Sequence, residues 1–394
     1  MVKQDNAFVK EFPQNLFSGF VVSLVALPLG LGLAIASEAP PLAGIIAAVV
    51  GGLVVSLFGG SHVTIAGPGN GLVIVLLASI STLGEGDLYQ GYLYTLAAII
   101  LSGVLLFVFG LLRMGAMSEF FPATALQGML AAIGLGILAK QFHIMLGIRS
   151  VGGSTLEQLL AIPDSFLTFL AVHPFAGVLG FLSLVFLFLY SRFRKSYFQL
   201  IPAPMWVVVA SVGIGYYYRL VLKQALPIGQ DLLIKIPDNL ISSFPIPLFD
   251  KIFDFNFIGV VFSITLIAVI ESLLSIKAVD KLDPKKRRSN VNKDLRALGL
   301  ASIISGFLGG LNVVTVIARS SVNVNNGGTN RSANFFHAAF LVFFIVLLRN
   351  QIKMIPMTSL AAILVYTGYK LATPENLLRV YKIGPEQALI FLIT

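Results

Sequence analysis

Long apolar segments separated by short polar ones recur along the whole chain. Each is close to twenty residues, the length with which an α-helix crosses about 30 Å of hydrocarbon. None shows the alternation of apolar and polar residues that a membrane β-strand requires. The pattern predicts a polytopic helical membrane protein with twelve spans and the start of a thirteenth. We place them at residues 15–36, 41–58, 64–81, 91–112, 123–146, 166–190, 203–222, 257–278, 295–311, 313–326, 333–349, 357–372 and from 386 onward.

The composition excludes a soluble domain. Of the 394 residues, 57% are hydrophobic and only 11% are charged, and the mean hydropathy is +0.90. The absence of cysteine excludes disulfides, thiolate metal sites and cysteine nucleophiles. The first thirteen residues are polar, and no small-residue cleavage site follows the first apolar segment. We therefore interpret that segment as a span and not as a removable signal peptide.

The positive charges indicate an orientation. If the N-terminus is cytoplasmic, so are the loops after spans four, six, eight and twelve. These loops carry Arg113, then Arg192, Arg194 and Lys195, then the tract from Lys277 to Arg296, then Arg379 and Lys382. The agreement with the positive-inside rule supports a cytoplasmic N-terminus. We interpret Lys285–Arg288 as a determinant of topology, with a contact to anionic membrane lipid as the alternative, and predict no nucleic-acid partner.

Two predicted spans are interrupted at corresponding places. Span three opens with Thr64-Ile-Ala-Gly-Pro-Gly-Asn-Gly71, and span ten with Asn312-Val-Val-Thr-Val-Ile-Ala-Arg-Ser320. Seven spans separate the two patterns, and this odd number predicts an inverted repeat. Glycine and proline disfavour regular helix, so we expect an extended segment followed by a half-helix in each span. Two half-helix N-termini, with free N–H groups and positive dipole ends, would form a site for an anion.

Two ionisable residues, Glu271 and Arg319, lie at predicted membrane depth. Such groups are costly in hydrocarbon and are functional by default, so we interpret them as flanking the anion site. Three structural alternatives stay open. Glu271 would be neutralised by hydrogen bonds or by Arg319; Arg319 would extend to an interface; or Gly67–Gly71 would serve close helix packing.

Five stretches of the sequence carry a resemblance to a known family. They are Leu24–Ala34, Ala66–Pro68, Glu271–Asp280, Ser305–Gly310 and Ala318–Asn323. Together they resemble the SulP family of anion transporters, which includes bacterial sulfate and bicarbonate permeases and animal prestin. The resemblance covers essentially the whole chain. It implies an all-α polytopic membrane fold of seven plus seven inverted spans, with short strands and half-helices at spans three and ten.

The resemblance also implies a division into domains. A cytoplasmic N-terminal segment at 1–13 is followed by a core domain at 14–114 and 257–350 and a gate domain at 115–256 and 351–394. It implies an elevator-like movement of core against gate, a homodimer in the bacterial inner membrane, and no cofactor. Family members often add a cytoplasmic STAS domain. Because this chain ends at Thr394 inside the predicted thirteenth span, we interpret it as truncated and lacking that domain.

The resemblance places the anion between spans three and ten. The substrate-binding residues that it implies are Pro28, Leu29, Gly67, Pro68, Gly69, Asn70, Gly71, Ala318, Arg319 and Ser320, and the coupling residues are Glu271, Ser275 and Thr315. Leu29 replaces a glutamine that is common in the family, which removes a polar contact. The resemblance implies a threonine at this position of span ten in sodium-coupled bicarbonate members, whereas this chain has Ile317. It offers no side-chain oxygen, which favours proton coupling over sodium coupling.

We predict a secondary transporter of a small inorganic anion such as bicarbonate or sulfate, coupled to protons or operating as an exchanger. The alternatives are a nucleobase or dicarboxylate carrier of the same fold, a sodium-coupled bicarbonate symporter, and an anion-gated motor or sensor. A nucleobase carrier would use acids in spans eight and ten, whereas span ten supplies Arg319. The four histidines lack the spacing of a helical zinc pair, and no nucleophile or paired-acid arrangement appears. We predict neither a metal site nor an enzyme.

Overall fold

The computed structural model describes residues 2–119, 123–148, 152–192, 201–237 and 244–373, with isolated positions after 374. Within these ranges, the side chains of residues 2–10, 117–119, 123 and 125–126 are not described. Of the predicted thirteenth span, residues 387, 390 and 392–394 lie outside the described residues. So do four of the basic residues used to predict the orientation, which are Arg194, Lys195, Arg379 and Lys382.

The elements follow the apolar pattern of the sequence. The first part of the chain forms α1 (Val2–Ala36), α2 (Pro41–Phe58), strand β1 (Ala66–Pro68), α3 (Val73–Gly84) and α4 (Leu88–Leu111). The middle part forms α5 (Ala123–Met145), α6 (Thr155–Leu160), α7 (Ile162–Val172), α8 (Pro174–Arg192) and α9 (Ala203–Leu220). The last part forms α10 (Phe255–Leu282), α11 (Val291–Phe307), strand β2 (Val313–Thr315), α12 (Ile317–Asn325), α13 (Ser332–Leu347), α14 (Arg349–Ile352) and α15 (Met357–Leu371).

Several helices match the thickness of a membrane. Within the described part of the chain, six stretches are long and apolar enough to cross it: Glu11–Ala36, Pro41–Phe58, Leu88–Leu111, Gln127–Met145, Pro174–Arg192 and Phe255–Leu282. The prediction of one continuous span at 166–190 is wrong. Two helices, α7 and α8, meet there at His173 and Pro174, and His173 has φ −142° and ψ 75°. Proline lacks an N–H group and restricts the residue before it, so the helix ends at this point.

The chain forms two compact units. The first comprises Met1–Phe121 and Pro237–Phe344, and the second comprises Pro122–Ile236 and Ile345–Thr394. The corresponding predicted boundaries are 114/115, 256/257 and 350/351. The described part of 237–256, predicted to lie in the gate domain, therefore groups with the first unit. Its Leu248 N–H bonds to the Leu93 carbonyl at 3.2 Å, and its Asp250 accepts the Tyr94 hydroxyl at 2.7 Å.

The second unit is built around α15. This helix packs against α5 and α8, and the Ser359 hydroxyl on it lies 2.8 Å from the Ser211 hydroxyl on α9. A backbone hydrogen bond of 3.3 Å from Ile234 to the Ile355 carbonyl joins the segment after α9 to the start of α15. Apolar packing and a few polar links thus hold this helix in its own unit.

A two-stranded antiparallel sheet lies in the core of the first unit. Ala66 is opposite Thr315, Gly67 is opposite Val314, and Pro68 is opposite Val313, and all six residues are buried. Both predicted interruptions of spans three and ten are therefore confirmed. Because the strands pair with each other, the backbone groups that leave the helices find partners inside the protein, as they must at membrane depth.

Candidate functional site

Strand β1 and the turn after it bring three glycines against two buried charged side chains. A Cβ atom at Gly69 would lie 2.5 Å from Oε2 of Glu271, and one at Gly71 would lie 2.7 Å from the same oxygen. A Cβ atom at Gly67 would collide with Nη1 of Arg319. Real Cβ contacts are essentially never shorter than 3.0 Å. At Gly69 and Gly71, the absence of a side chain therefore leaves room for the Glu271 carboxylate against the backbone. The alternative that these two glycines serve close packing between helices does not hold.

Glu271 extends from α10 to the backbone that precedes α3. The Gly71 N–H donates to Oε1 at 3.4 Å, and the residue is 7% exposed. Oε2 has no hydrogen-bond partner among the described residues. A carboxylate near a helix N-terminus interacts favourably with the helix dipole. Glu271 therefore lies in the electrostatic environment that would also attract a substrate anion.

Arg319 lies in the first turn of α12 and is 1% exposed. This burial excludes the alternative in which it extends to an interface. The charges of Glu271 and Arg319 act on each other, but the ion pairs of the described residues do not include one between them. A buried guanidinium without an ion-pair partner in direct contact is strongly unfavourable. An anion bound beside Arg319 would supply such a partner.

Both half-helices begin without a capping side chain. Helix α3 follows Leu72 and α12 follows Val316, and neither N-cap side chain accepts a hydrogen bond from its helix. The first N–H groups of a helix have no acceptor within the helix, and the dipole adds a partial positive charge there. The antiparallel strands lead into α3 at one end of the sheet and into α12 at the other. One small sheet therefore holds two positively polarised helix starts.

Most of the predicted substrate residues lie around this sheet, but they are not equally available. Ala318 is exposed and Asn70 is half-buried, whereas Pro28 and Leu29 lie in the buried part of α1, which packs against α12 and β1. Ser320 offers no free donor. Its N–H and its hydroxyl both donate to the Val316 carbonyl, at 3.0 and 2.8 Å, and its oxygen accepts the Ile65 N–H at 2.9 Å. The structure assigns Ser320 to holding the segment before β1.

The predicted coupling residues lie on neighbouring elements. Ser275 follows Glu271 by one turn of α10 and is 2% exposed, and Thr315 is 1% exposed in β2. Helix α10 packs against β2. Ile317, which begins α12, supplies no side-chain oxygen. The three coupling residues are thus buried on two elements in contact.

Two polar residues of α13 lie near the sheet or on the same helix face but were not among the predicted site residues. Asn334 accepts the Ala66 N–H through Oδ1 at 3.4 Å, and His337 is fully buried. His337 was considered only as a metal ligand. The signal that marks both is their spacing of three residues inside an apolar run, which places them on one face of the helix.

Residues 12–394 match the family model described as Sulfate permease family. The chain belongs to this family. The match confirms the predicted class, a transporter of the sulfate permease family and not an enzyme.

The chain is 26% identical to the putative sulfate transporter YvdB of Bacillus subtilis, with 98% of this chain and 69% of that protein covered. It is also 26% identical to the bicarbonate transporter BicA of Picosynechococcus, with 95% and 64% covered. The chain thus spans about two thirds of the length of these relatives.

The fold is that of a solved transporter domain. The transmembrane domain of a cyanobacterial bicarbonate transporter BicA superimposes with a TM-score of 0.84 at 24% identity, over 97% of this chain and 94% of that one. This likeness confirms the predicted fold class, a multi-pass helical membrane protein with seven plus seven inverted spans and short strands.

Proposed function

We propose that this sulfate permease family protein carries a small inorganic anion, bicarbonate or sulfate, across the membrane by secondary active transport. The observation that supports the proposal is the buried charge of Arg319 in the first turn of the uncapped helix α12, on a small sheet whose other end leads to the uncapped start of α3. An anion bound between them would receive backbone N–H groups and neutralise the guanidinium. The names of the relatives include one sulfate and one bicarbonate transporter, and both anions have the charge and size that such a site attracts.

Transport is coupled to protons through Glu271 in this proposal. The carboxylate is almost fully buried and interacts with the same helix start that would bind the anion. When ionised, Glu271 repels an incoming anion; when protonated, it does not. A proton and an anion therefore enter together. Sodium coupling is the alternative, but Ile317 removes one oxygen that a sodium site would use.

The remaining parts of the proposal concern the whole protein. The core domain carries the anion site in an elevator-like movement against the gate domain, and two copies form a homodimer in the bacterial inner membrane. The N-terminus is cytoplasmic, because this orientation places the basic loops on the cytoplasmic side. These parts rest on the family resemblance and on the charge pattern of the sequence.

Uptake into proteoliposomes tests the proposal. The purified chain is reconstituted and assayed for labelled sulfate and labelled bicarbonate, across an imposed pH gradient, with and without sodium. We expect uptake of one or both anions that is driven by an inward proton gradient and is independent of sodium. Uptake that is unchanged in the double variant Arg319→Ala with Glu271→Gln would contradict the mechanism. Inhibition by uracil but not by sulfate would favour a nucleobase carrier.

A further inference from the structure

Two buried polar side chains, Asn334 and Arg319, meet β1, and a third, His337, lies on the same helix face as Asn334. Asn334 binds the Ala66 N–H through Oδ1, and Nη1 of Arg319 lies against Gly67, the next residue of the strand. His337 follows Asn334 by three residues on α13 and therefore lies on the same face of that helix. The charge of Arg319 also acts on His337. The three side chains thus come from two helices that approach one strand.

Several polar atoms of these side chains have no hydrogen-bond partner among the described residues. Arg319 is 1% exposed, Asn334 is 2% exposed, and His337 is 0% exposed. The atoms without a hydrogen-bond partner among the described residues are Nε and Nη1 of Arg319, Nδ2 of Asn334, and both ring nitrogens of His337. Buried polar atoms are rarely left unpaired in folded proteins, and ordered water is the usual partner where the protein supplies none.

The chemistry of the unpaired atoms indicates which partner fits. The arginine and asparagine atoms are donors, whereas a neutral imidazole presents one donor and one acceptor. An occupant must therefore accept hydrogen bonds from Arg319 and Asn334 and must also donate one to His337. Water does both. Sulfate only accepts; bicarbonate carries a single O–H and is the one proposed substrate that could also donate, so it is tested below beside sulfate.

We propose that Asn334 and His337 hold the Arg319 guanidinium in place through bridging water, and so act as positioning residues for anion binding. This inference rests on the proposed function. The guanidinium has five N–H donors, enough to bind both this water and an anion. Glu271 attracts Arg319 from the side of α10. The link to α13 opposes that attraction and keeps the positive charge available to the substrate.

Substitution of His337 tests the role in transport. In the reconstituted full chain, His337→Leu is expected to raise the half-saturating anion concentration about tenfold, which corresponds to about 1.4 kcal/mol, with little change in the maximal rate. His337→Gln keeps a donor and an acceptor and is expected to restore most of the affinity. Leu341→Val is the matched control, because Leu341 is equally buried one turn further along α13; this variant should bind like the unaltered protein.

Repeating the His337→Leu substitution in a protein that already carries Arg319→Ala distinguishes the proposed role of His337 from a general effect on packing. His337→Leu is expected to have no further effect on the half-saturating concentration once Arg319→Ala is present, because His337 acts through the guanidinium. An equal rise in both backgrounds would overturn the proposal. So would an unchanged half-saturating concentration in His337→Leu, or a Leu341→Val variant as impaired as His337→Leu.

A spectroscopic measurement tests the same link without transport. The chain has four histidines, so the ¹⁵N ring signal that is lost in His337→Gln identifies His337. This signal is expected to move in Arg319→Ala and to stay in place in Leu341→Val, with no anion added. If the unaltered protein takes up neither anion, the proposed function fails, and this measurement still decides the inference. A signal that responds to added sulfate or bicarbonate but not to Arg319→Ala would mean that an anion fills the pocket, and would overturn the water bridge.

Discussion

Gly71 donates its backbone N–H to Oε1 of Glu271 at 3.4 Å, so a carboxylate from α10 lies at the residues that lead into α3. Helix N-termini attract anions whether these belong to the protein or to a ligand. In the proposed function, Glu271 and the substrate therefore compete for one positively polarised position. The charge of a single side chain then determines how strongly the site attracts an anion.

Glu271→Gln is expected to bind the anion more tightly and to lose proton coupling. Glutamine keeps an oxygen that can accept the Gly71 N–H, but it carries no charge to repel the substrate. We expect the half-saturating anion concentration at alkaline pH to fall about 3- to 10-fold, or about 0.7–1.4 kcal/mol. Initial rates of anion uptake as a function of external pH provide the measurement, and the variant should show a flat profile.

The matched control is Glu85→Gln. Glu85 belongs to the same unit, but its side chain is 74% exposed and pairs with Lys251 at 2.7 Å outside the site. This variant should keep the pH profile of the unaltered protein. A Glu271→Gln variant that still accumulates anion in response to a proton gradient would show that Glu271 does not carry the coupled proton.

Gly69→Ala is expected to inactivate transport and to lower stability. The added methyl group would lie 2.5 Å from Glu271 Oε2 and 2.5 Å from Val314 Cγ2, so either the carboxylate or the strand pair must move. Overpacking of this kind typically costs about 1–3 kcal/mol. Thermal unfolding in detergent and uptake in proteoliposomes measure the two effects.

Gly259→Ala provides the control for that substitution. Gly259 lies on α10, the helix that carries Glu271, and a Cβ atom there would meet nothing within 4 Å. An alanine at a compatible helical position stabilises by about 0.4–1 kcal/mol, so this variant should transport normally. If Gly69→Ala also transports normally, the turn has more room than its contacts indicate.

The parts of the structure that depend on local sequence were predictable, and the parts that depend on distant contacts were not. The apolar runs predict the helices, and Gly67–Gly71 predicts the break in span three, because each depends on neighbouring residues. The pairing of β1 with β2 and the bond between Gly71 and Glu271 join residues about 200 or more positions apart, and no local pattern encodes them. His337 shows the same limit, because one histidine in an apolar run does not reveal which helix it faces.

Asp283 is expected to make stability depend on pH at the end of α10, where the chain leaves the predicted membrane span. Burial opposes its ionisation, but its pKa is still held below the ordinary value by the Arg287 side chain and by the N–H groups of Lys285 and Arg287. The pKa in the folded state is lower than in the unfolded state. The interaction therefore contributes stability above the unfolded pKa of about 3.9, and the contribution is lost as the pH falls through the folded pKa.

Asp283→Asn isolates this contribution. At pH 7 the variant is expected to be less stable by about 1.5–3 kcal/mol, the range for hydrogen bonds to charged groups. Asparagine has one acceptor oxygen and no charge, so Arg287 would lose one of its bonds of 2.8 and 3.1 Å to the two carboxylate oxygens and the charge assistance of the other. The difference in melting temperature between the variant and the unaltered protein should shrink as the pH is lowered towards 3. A difference that stays constant over this range would assign the effect to packing and not to charge.

Ser320→Ala is expected to weaken the fold without weakening the affinity for the anion. The Ser320 oxygen accepts the N–H of Ile65, which is fully buried, and its removal leaves that N–H unpaired at a cost of about 1–3 kcal/mol. The neighbouring variant Ser321→Ala removes only a bond of 2.9 Å to the Ile317 carbonyl of the same helix, so its stability should change by less than about 0.5 kcal/mol. Thermal unfolding measures the two costs, and uptake kinetics measure the half-saturating concentration of the folded variants. A raised half-saturating concentration in Ser320→Ala with unchanged stability would return Ser320 to the substrate site, because only a direct contact with the anion would then explain the loss.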